Sequence, residues 1–188
     1  MGLEIEAKVK VAGLDAISER LEGLGGLGAE HRGDVTHLDT YYAGGIKRGC
    51  GLRLRRWIDA AGEKAILTYK GTRQKGRFKK RTEIEVEIAD YSAMAELLEA
   101  LGYRQELIIE KRRRFWRFRG CAICLDQLPL LGSFVEVEGP AEDIIGQVLA
   151  AIGLGGLEHI NKGYAGLMKS KLREIGSQDT QVLFDSEG

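Results

Sequence analysis

Residues 4–8 of the chain read Glu-Ile-Glu-Ala-Lys, and residues 136–138 read Glu-Val-Glu. Successive side chains of a β-strand point to opposite faces, so the charged residues of each stretch share one face and the apolar residues share the other. Carboxylate pairs that face each other across a barrel or sheet supply the oxygen ligands that hard divalent cations prefer. The two stretches therefore predict strands that present a carboxylate surface suited to binding a metal ion.

The same alternation recurs along the chain, and the charges are sorted by strand. Arg53 and Arg55 alternate with leucines, Lys111 and Arg113 share one face of a later segment, and residues 81–88 alternate charged and apolar types. A single alternating strand is typical of a sheet with one solvated face. Carboxylates dominate the first and last strands whereas cations dominate the strands at 53–55 and 111–113, which favours a polar interior instead.

Hydrophobic periodicity predicts an α+β fold. Eight strands are predicted, at residues 3–11, 35–42, 52–58, 64–70, 81–88, 107–118, 122–126 and 133–138. Three helices interrupt them, at residues 15–24, 91–101 and 141–152, and each ends at an apolar residue followed by Gly. A strand and helix order that repeats from near residues 4 and 83 indicates two related halves. We predict a closed eight-stranded antiparallel β-barrel with helices packed outside.

The C-terminal part is predicted to contribute a cap and a tail. A fourth helix from Lys162 to about Glu174 is expected to cover the barrel, and the polar segment 176–188 is expected to be disordered. With 188 residues and 44% hydrophobic content, the chain suffices for one domain, assigned to residues 1–175.

Composition excludes several function classes. The 28 basic and 28 acidic residues balance, so no bulk field favours nucleic acid or an acidic membrane. No apolar run approaches the length of a membrane span, which is about 18 residues, so no association with a membrane is expected. Three cysteines are too few for a disulfide framework, so a cytoplasmic protein is expected. Cys121 and Cys124 have the spacing of a metal pair, but they would face opposite sides of a strand. Common nucleotide-binding and hydrolase loops are absent, so phosphate binding would need side chains.

A barrel with cationic and acidic walls suits a polyanion together with a metal. Guanidinium groups bind phosphate oxygens in pairs, and a divalent ion bridges carboxylates to phosphate. The cations expected on the interior walls are Arg53, Arg55, Lys70, Arg81, Lys111 and Arg113.

The order of these motifs resembles the CYTH proteins, also called triphosphate tunnel metalloenzymes, over about residues 3–170. The motifs that carry the resemblance are Glu4-x-Glu6-x-Lys8, His37-Leu-Asp-Thr-Tyr-Tyr42, Leu-Arg53-Leu-Arg55, Leu-Thr-Tyr-Lys70-Gly71, Arg81-x-Glu83-x-Glu85, Glu-Lys111-Arg-Arg113, Leu-Asp126 and Leu-Gly-Ser-Phe-Val-Glu136-Val-Glu138. The chain is most similar to the class IV adenylyl cyclases. Thiamine triphosphatases and inorganic triphosphatases share the same frame, and residues 161–164 depart from the Ser-Tyr segment of the cyclases.

The resemblance implies a role for each motif. Mg²⁺ or Mn²⁺ would be held by Glu4, Glu6, Glu136 and Glu138, with help from Asp126. The triphosphate would be held by Arg53, Arg55, Lys70, Lys111 and Arg113, with Arg81 nearby and with either Glu83 or Glu85 as the inward carboxylate. Lys8 and Tyr41 match the pair that activates water in the triphosphatases of the family.

Several functions stay open at this stage. A cyclase would convert ATP to cyclic AMP and pyrophosphate, whereas a triphosphatase would hydrolyse inorganic triphosphate or thiamine triphosphate. Lys8 would act as a base only with a lowered pKa. A non-catalytic nucleotide or polyphosphate sensor is a further alternative. So is an RNA-binding module, because the runs at 73–81 and 111–119 interleave cations with aromatic residues, although nucleic acid is disfavoured as a partner. A homodimer is an additional hypothesis.

Overall fold

A closed antiparallel barrel forms the body of the protein. The computed structural model describes residues 2–185. The barrel strands are β1 (Gly2–Val11), β2 (Glu30–Ala43), β3 (Gly51–Asp59), β4 (Gly62–Lys70), β5 (Lys79–Ile88), β6 (Arg104–Phe118), β7 (Cys121–Leu128) and β8 (Gly132–Glu138). Their order is β2-β3-β4-β5-β1-β8-β7-β6, and pairing between β6 and β2 closes the ring. The predicted eight-stranded barrel is confirmed.

The described residues include four α-helices outside the ring. They are α1 (Asp15–Gly23), α2 (Tyr91–Ala100), α3 (Glu142–Ala151) and α4 (Tyr164–Glu174). Gly102 and Gly153 take positive φ values of 85° and 79° after α2 and α3, as predicted for left-handed C-caps. The prediction for Gly25 is wrong, because a short 3₁₀ helix follows α1 and satisfies its last carbonyls; Gly28, with φ of 92°, then takes the left-handed conformation.

The main apolar core lies between the barrel wall and the helices. The outward residues Ile5, Ala7 and Val9 of β1 pack with Leu21 of α1 and Leu149 of α3. The alternate, charged residues of β1 therefore point into the barrel. Because helices cover this part of the outer face, the apolar core lies outside the barrel and the interior is free to carry polar groups.

One end of the interior is apolar. Tyr164 and Met168 of α4 pack with Leu107 and Ile109 of β6 and with Phe134 of β8. β2 pairs antiparallel with both β6 and β3, and β7 pairs antiparallel with both β6 and β8. The strands β3, β6 and β8 therefore run in the same direction. Along each of them the inward residues pass from the end beneath α4 to the charged part of the interior.

The segment after α4 differs from the prediction of disorder. Residues 181–182 form a short strand, β9 (Gln181–Val182), parallel to β6. The backbone N–H of Phe184 donates to the Glu110 carboxylate at 2.9 Å. Val182 is buried beside the barrel, which supplies the apolar contact that the polar composition of the segment concealed. The described part, 176–185, is therefore ordered, whereas 186–188 lie outside the described residues; the domain boundary at residue 175 stays a prediction.

Candidate active site

The inward side chains enclose a cavity of about 640 Å³. Every site residue proposed from sequence lines it except Asp126. The lining residues from that set are Glu4, Glu6, Lys8, Tyr41, Arg53, Arg55, Lys70, Arg81, Glu83, Glu85, Lys111, Arg113, Glu136 and Glu138. The barrel thus gathers into one space charges that are far apart in the chain.

Asp39 organises the cations of β3. The guanidinium of Arg55 donates two hydrogen bonds to the Asp39 carboxylate, at 2.6 and 2.8 Å, and Arg53 lies 3.7 Å from it. The β2–β3 register places Asp39 directly opposite Arg55. Burial opposes ionisation of Asp39, but Arg55 and Arg53 hold its pKa well below the usual value. Asp39 therefore fixes the forked donors of the cavity wall, a role for which the sequence analysis assigned no residue.

Asp126 does the same for the cations of β6. It accepts two hydrogen bonds from Arg113 at 2.5 Å and one from the Tyr164 hydroxyl at 2.7 Å, and it is fully buried. Asp126, which was expected to help bind the metal, does not line the cavity, and its oxygens accept hydrogen bonds from Arg113 and Tyr164. Its role at a metal stays a prediction. Burial and the charge of Arg113 lower the pKa of neighbouring Lys111 to about 8.

Glu83 and Glu85, the two candidates on β5 for the inward carboxylate, both line the cavity. Lys70 donates to Glu83 at 2.5 Å, and Arg81 donates to the same carboxylate at 2.8 Å. Glu85 lies 3.4 Å from Arg53. Residues two apart on a strand share a face, so the two carboxylates extend one acidic row. Burial lowers the pKa of Lys70 to about 8.

The carboxylate wall brings like charges together. The β1–β8 register places Glu6 directly opposite Glu138, an arrangement that destabilises a sheet unless a cation compensates. Lys79 donates to one oxygen of Glu6 at 2.7 Å. Burial and nearby carboxylates raise the pKa of Glu138, and burial together with a hydrogen bond to Glu83 raises the pKa of Glu4. The wall therefore contains more acid groups than its cations neutralise.

This donor set fits a hard divalent cation. Within residues 2–185, no three acidic, histidine or cysteine side chains are already close enough to form a complete metal site. The Oε1 atom of Glu6 is nevertheless buried without a hydrogen-bond donor, with Lys8 Nζ 3.5 Å away, and the side chain of Glu138 makes no ion pair with the described residues. Carboxylate oxygens that lack hydrogen-bond donors and face each other are what a divalent ion would bind.

Lys8 is held as a cation. Its Nζ lies 2.9 Å from Glu136 and 3.5 Å from Glu6, and 3.9 Å from the centroid of the Tyr164 ring. Burial opposes the charge, but the two carboxylates outweigh it and raise the pKa of Lys8. Burial and Asp39 likewise raise the pKa of Tyr41. A base must release its proton, so the water-activating role suggested for Lys8 and Tyr41 from the family resemblance stays a prediction.

Among the lining residues that were missed from the sequence, three lie on strands whose inward alternation had been recognised. They are Lys79, Trp57 and Phe115. Each continues an alternation that had been recognised, because Lys79 precedes Arg81 by two residues and the two aromatic residues follow Arg55 and Arg113 by two. Lys79 had been placed in a loop, whereas β5 begins at that residue.

The cysteine and RNA hypotheses can be compared with the same side chains. Cys124 lines the cavity whereas Cys121 lies in the apolar core, which confirms that they face opposite ways. Phe78, Trp116 and Phe118, from the two basic runs, are at most 5% exposed. These aromatic rings offer no surface on which RNA bases could stack.

Comparison with known proteins identifies the family. The CYTH domain model matches residues 2–150, so the chain belongs to the CYTH family. Members of this family are generally enzymes, cyclases or triphosphatases, and they use divalent metals. In residues 2–185, no helix has the length and apolarity needed to cross a membrane.

Three relatives illustrate the range of the family. A protein of Methanocaldococcus jannaschii named as a candidate adenylate cyclase, MJ0240, is 30% identical over 147 residues, covering 76% of this chain and 79% of that protein. The structure of PH1819 from Pyrococcus horikoshii is 28% identical with a TM-score of 0.77, covering 89% of this chain and 99% of that one. A Hippeastrum protein, HpAC1, is described as a candidate adenylyl cyclase with dominant triphosphatase activity. Its structure is 18% identical with a TM-score of 0.61, covering 95% of this chain and 98% of that one. This likeness shows the fold alone.

Proposed function

We propose that the protein is a divalent-metal-dependent enzyme acting on a triphosphate, and that it is a class IV adenylyl cyclase converting ATP to cyclic AMP and pyrophosphate. One observation carries the proposal: a cavity with buried cations on one wall and unneutralised carboxylates on another. Arg53, Arg55 and Lys111 of the first wall are buried, and Arg113 is partly buried. The carboxylate wall is not explained by stability, because buried charges lacking full compensation are costly.

The cation wall is positioned before substrate binds. Arg55 and Arg113 are each clamped by a bidentate carboxylate, Asp39 or Asp126. Such preorganised donors need little rearrangement to meet phosphate oxygens, and a water-poor site strengthens the attraction. We assign these arginines, together with Lys111 and Lys70, to binding the triphosphate.

The carboxylate wall would hold Mg²⁺ or Mn²⁺. We assign Glu4, Glu6 and Glu138 as the main ligands, with Glu136 linking them to Lys8 and Arg113. A bound divalent ion neutralises phosphate charge and polarises the phosphorus–oxygen bonds. Lys79 neutralises part of the Glu6 charge in the absence of substrate.

In the cyclase reaction, the ribose 3′-oxygen forms a bond to the α-phosphorus as the bond to the α–β bridging oxygen breaks. Pyrophosphate leaves with the bonding electrons, and the hydroxyl proton passes to cavity water. The growing negative charge falls beside Arg55, Lys111 and Arg113, which would stabilise it. A protonated Lys8 adds to this electrostatic stabilisation, and that favours the cyclase over hydrolysis by water that Lys8 has deprotonated.

Triphosphate hydrolysis is the second candidate. The same cations would hold inorganic triphosphate or thiamine triphosphate, with water attacking the terminal phosphorus. The activity described for the Hippeastrum relative, which has the same fold, supports keeping this candidate. It would require a water-activating group other than Lys8.

A matched pair of carboxylate variants tests the metal dependence. Glu138→Gln removes a charge from the acidic wall and breaks no hydrogen bond among the described residues, so we expect the fold to persist and the metal concentration for half-maximal ATP turnover to rise roughly tenfold. Glu96→Gln, on the exposed face of α2, serves as the control and should behave as the wild type. An unchanged metal response in Glu138→Gln would contradict the assigned wall. Tight metal-dependent ATP binding without turnover would instead identify a non-catalytic sensor.

A further inference from the structure

An aromatic pair lines the cavity but has no role in the chemistry proposed above. Trp57 of β3 and Phe115 of β6 stack with ring centroids 5.2 Å apart and planes inclined by 19°. The indole N–H donates to Asp59 at 2.7 Å, and the His37 ring lies 4.6 Å from the indole. These contacts fix the orientation of the indole while leaving it partly exposed.

The two rings occupy the same place in the order of inward residues along β3 and β6, which run in the same direction. Inward residues along β3 read Arg53, Arg55, Trp57, and those along β6 read Lys111, Arg113, Phe115. Each two-residue step advances roughly 7 Å along a strand. On both strands, therefore, the aromatic ring follows the cations in the direction away from α4.

We infer that Trp57 and Phe115 form the binding surface for the base of a nucleoside triphosphate, with the polyphosphate chain extending along the cations toward α4. This inference rests on the proposed function and specifies its substrate class. An elongated ligand with a polyanion at one end and a flat ring at the other matches the order of residues on both strands. Stacking on aromatic side chains is a general means of binding bases.

Neighbouring charges favour a neutral base over the cationic ring of thiamine. The Nζ atom of Lys64 lies 4.9 Å from the centroid of the Trp57 ring, and the guanidinium carbon of Arg113 lies 5.3 Å from that of Phe115. A positively charged thiazolium ring would be repelled by both cations. Inorganic triphosphate would leave the aromatic pair unused.

Binding measurements on Trp57 variants test the inference. With Mg²⁺, an ATP analogue carrying a methylene group between the α- and β-phosphorus atoms should bind Trp57→Ala roughly ten- to a hundredfold more weakly than the wild type. The Kd for inorganic triphosphate should change by no more than about twofold, because that ligand contacts only the cations. Trp57→Phe keeps a ring and should lose less affinity for the analogue.

Tryptophan fluorescence gives a second reading without turnover. The chain has two tryptophans, and Trp116 is buried in the core, so emission that responds to ligand reports on Trp57. The analogue should change the emission of the wild type and leave that of Trp57→Phe unchanged, whereas inorganic triphosphate should have little effect on either.

The outcomes separate this inference from the proposed function. Equal weakening of both ligands by Trp57→Ala, or no weakening of either, would overturn the base-binding surface while leaving triphosphate binding in place. Binding of thiamine triphosphate as tightly as the ATP analogue would overturn the nucleobase assignment. Failure of the wild type to bind any of these ligands would overturn the proposed function itself.

Discussion

Asp39→Asn is expected to destabilise the free protein through the cations that Asp39 holds. Asp39 is 2% exposed, and within residues 2–185 it is the carboxylate that pairs with Arg55. Asn keeps the shape of Asp but removes the charge, so Arg55 remains buried without a counterion. The Asp39 carboxylate is ionised at neutral pH, because the guanidinium groups of Arg55 and Arg53 hold its pKa well below the usual value.

The size of the effect follows from the burial of the pair. Removing one partner of a buried ion pair costs about 3–5 kcal/mol. Asn still accepts one hydrogen bond, and Arg53 keeps Glu85 at 3.4 Å, so the lower end, about 3 kcal/mol, applies here. For a chain of 188 residues this corresponds to a Tm lower by roughly 6–12 °C.

Thermal unfolding with and without ligand is the assay. Saturating inorganic triphosphate with Mg²⁺ should raise the Tm of Asp39→Asn more than that of the wild type, because phosphate supplies the missing negative charge. Asp34→Asn, an exposed change on the same strand, should shift the Tm by no more than about 2 °C. A Tm deficit in Asp39→Asn that is equally large with and without triphosphate would refute the argument that Asp39 acts through the anion-binding cations.

Three further predictions concern the metal ligands, the cation wall and the core. Glu136→Ala should abolish metal-dependent ATP turnover while circular dichroism shows a folded barrel; retained turnover would contradict the acidic wall. Triphosphate binding should raise the pKa values of Lys111 and Lys70 from about 8, so calorimetry in buffers of different ionisation enthalpy at about pH 8.5 should show proton uptake that Lys111→Arg reduces to the share of Lys70; equal uptake in both proteins would exclude Lys111. Leu149→Ala, in the core outside the barrel, should cost about 2–5 kcal/mol and lower the Tm without changing triphosphate affinity; a large affinity change would mean that core and cavity are coupled.

Strand alternation made most of the barrel predictable. Side chains alternate between the two faces of a strand, so the charged residues of β1 share one face and those of β8 share one face, which predicted a common interior. The structure places Glu6 opposite Glu138 in register. The positions of the helices were predictable because their apolar residues recur at helical spacing. The short strand β9 was not predictable, because two residues carry no periodicity and its partner strand lies more than 70 residues earlier.

The lining of the cavity was predictable, but the pairing within it was not. Alternation identifies which residues point inward, and the same rule extends to Lys79, Trp57 and Phe115. It does not specify which carboxylate meets which cation, because this depends on register and on the tilt of the strands. The two hydrogen bonds between Arg113 and Asp126 were therefore not predictable from the sequence.

The state of Lys8 could not be read from the sequence either. Whether its pKa rises or falls depends on whether carboxylates or arginines lie nearer to Nζ. Glu136 at 2.9 Å and Glu6 at 3.5 Å decide the question, because a buried lysine beside two carboxylates stays charged. The proposed function therefore assigns Lys8 the role of an electrostatic stabiliser.

Product analysis tests the central claim most directly. Purified protein would be incubated with Mg²⁺ or Mn²⁺ and, separately, with ATP, inorganic triphosphate and thiamine triphosphate, while cyclic AMP, pyrophosphate and orthophosphate are resolved. The proposed function predicts metal-dependent formation of cyclic AMP and pyrophosphate in equal amounts from ATP. Orthophosphate release without cyclic AMP would contradict the cyclase and identify a triphosphatase, and absence of any product from all three substrates would contradict the enzyme.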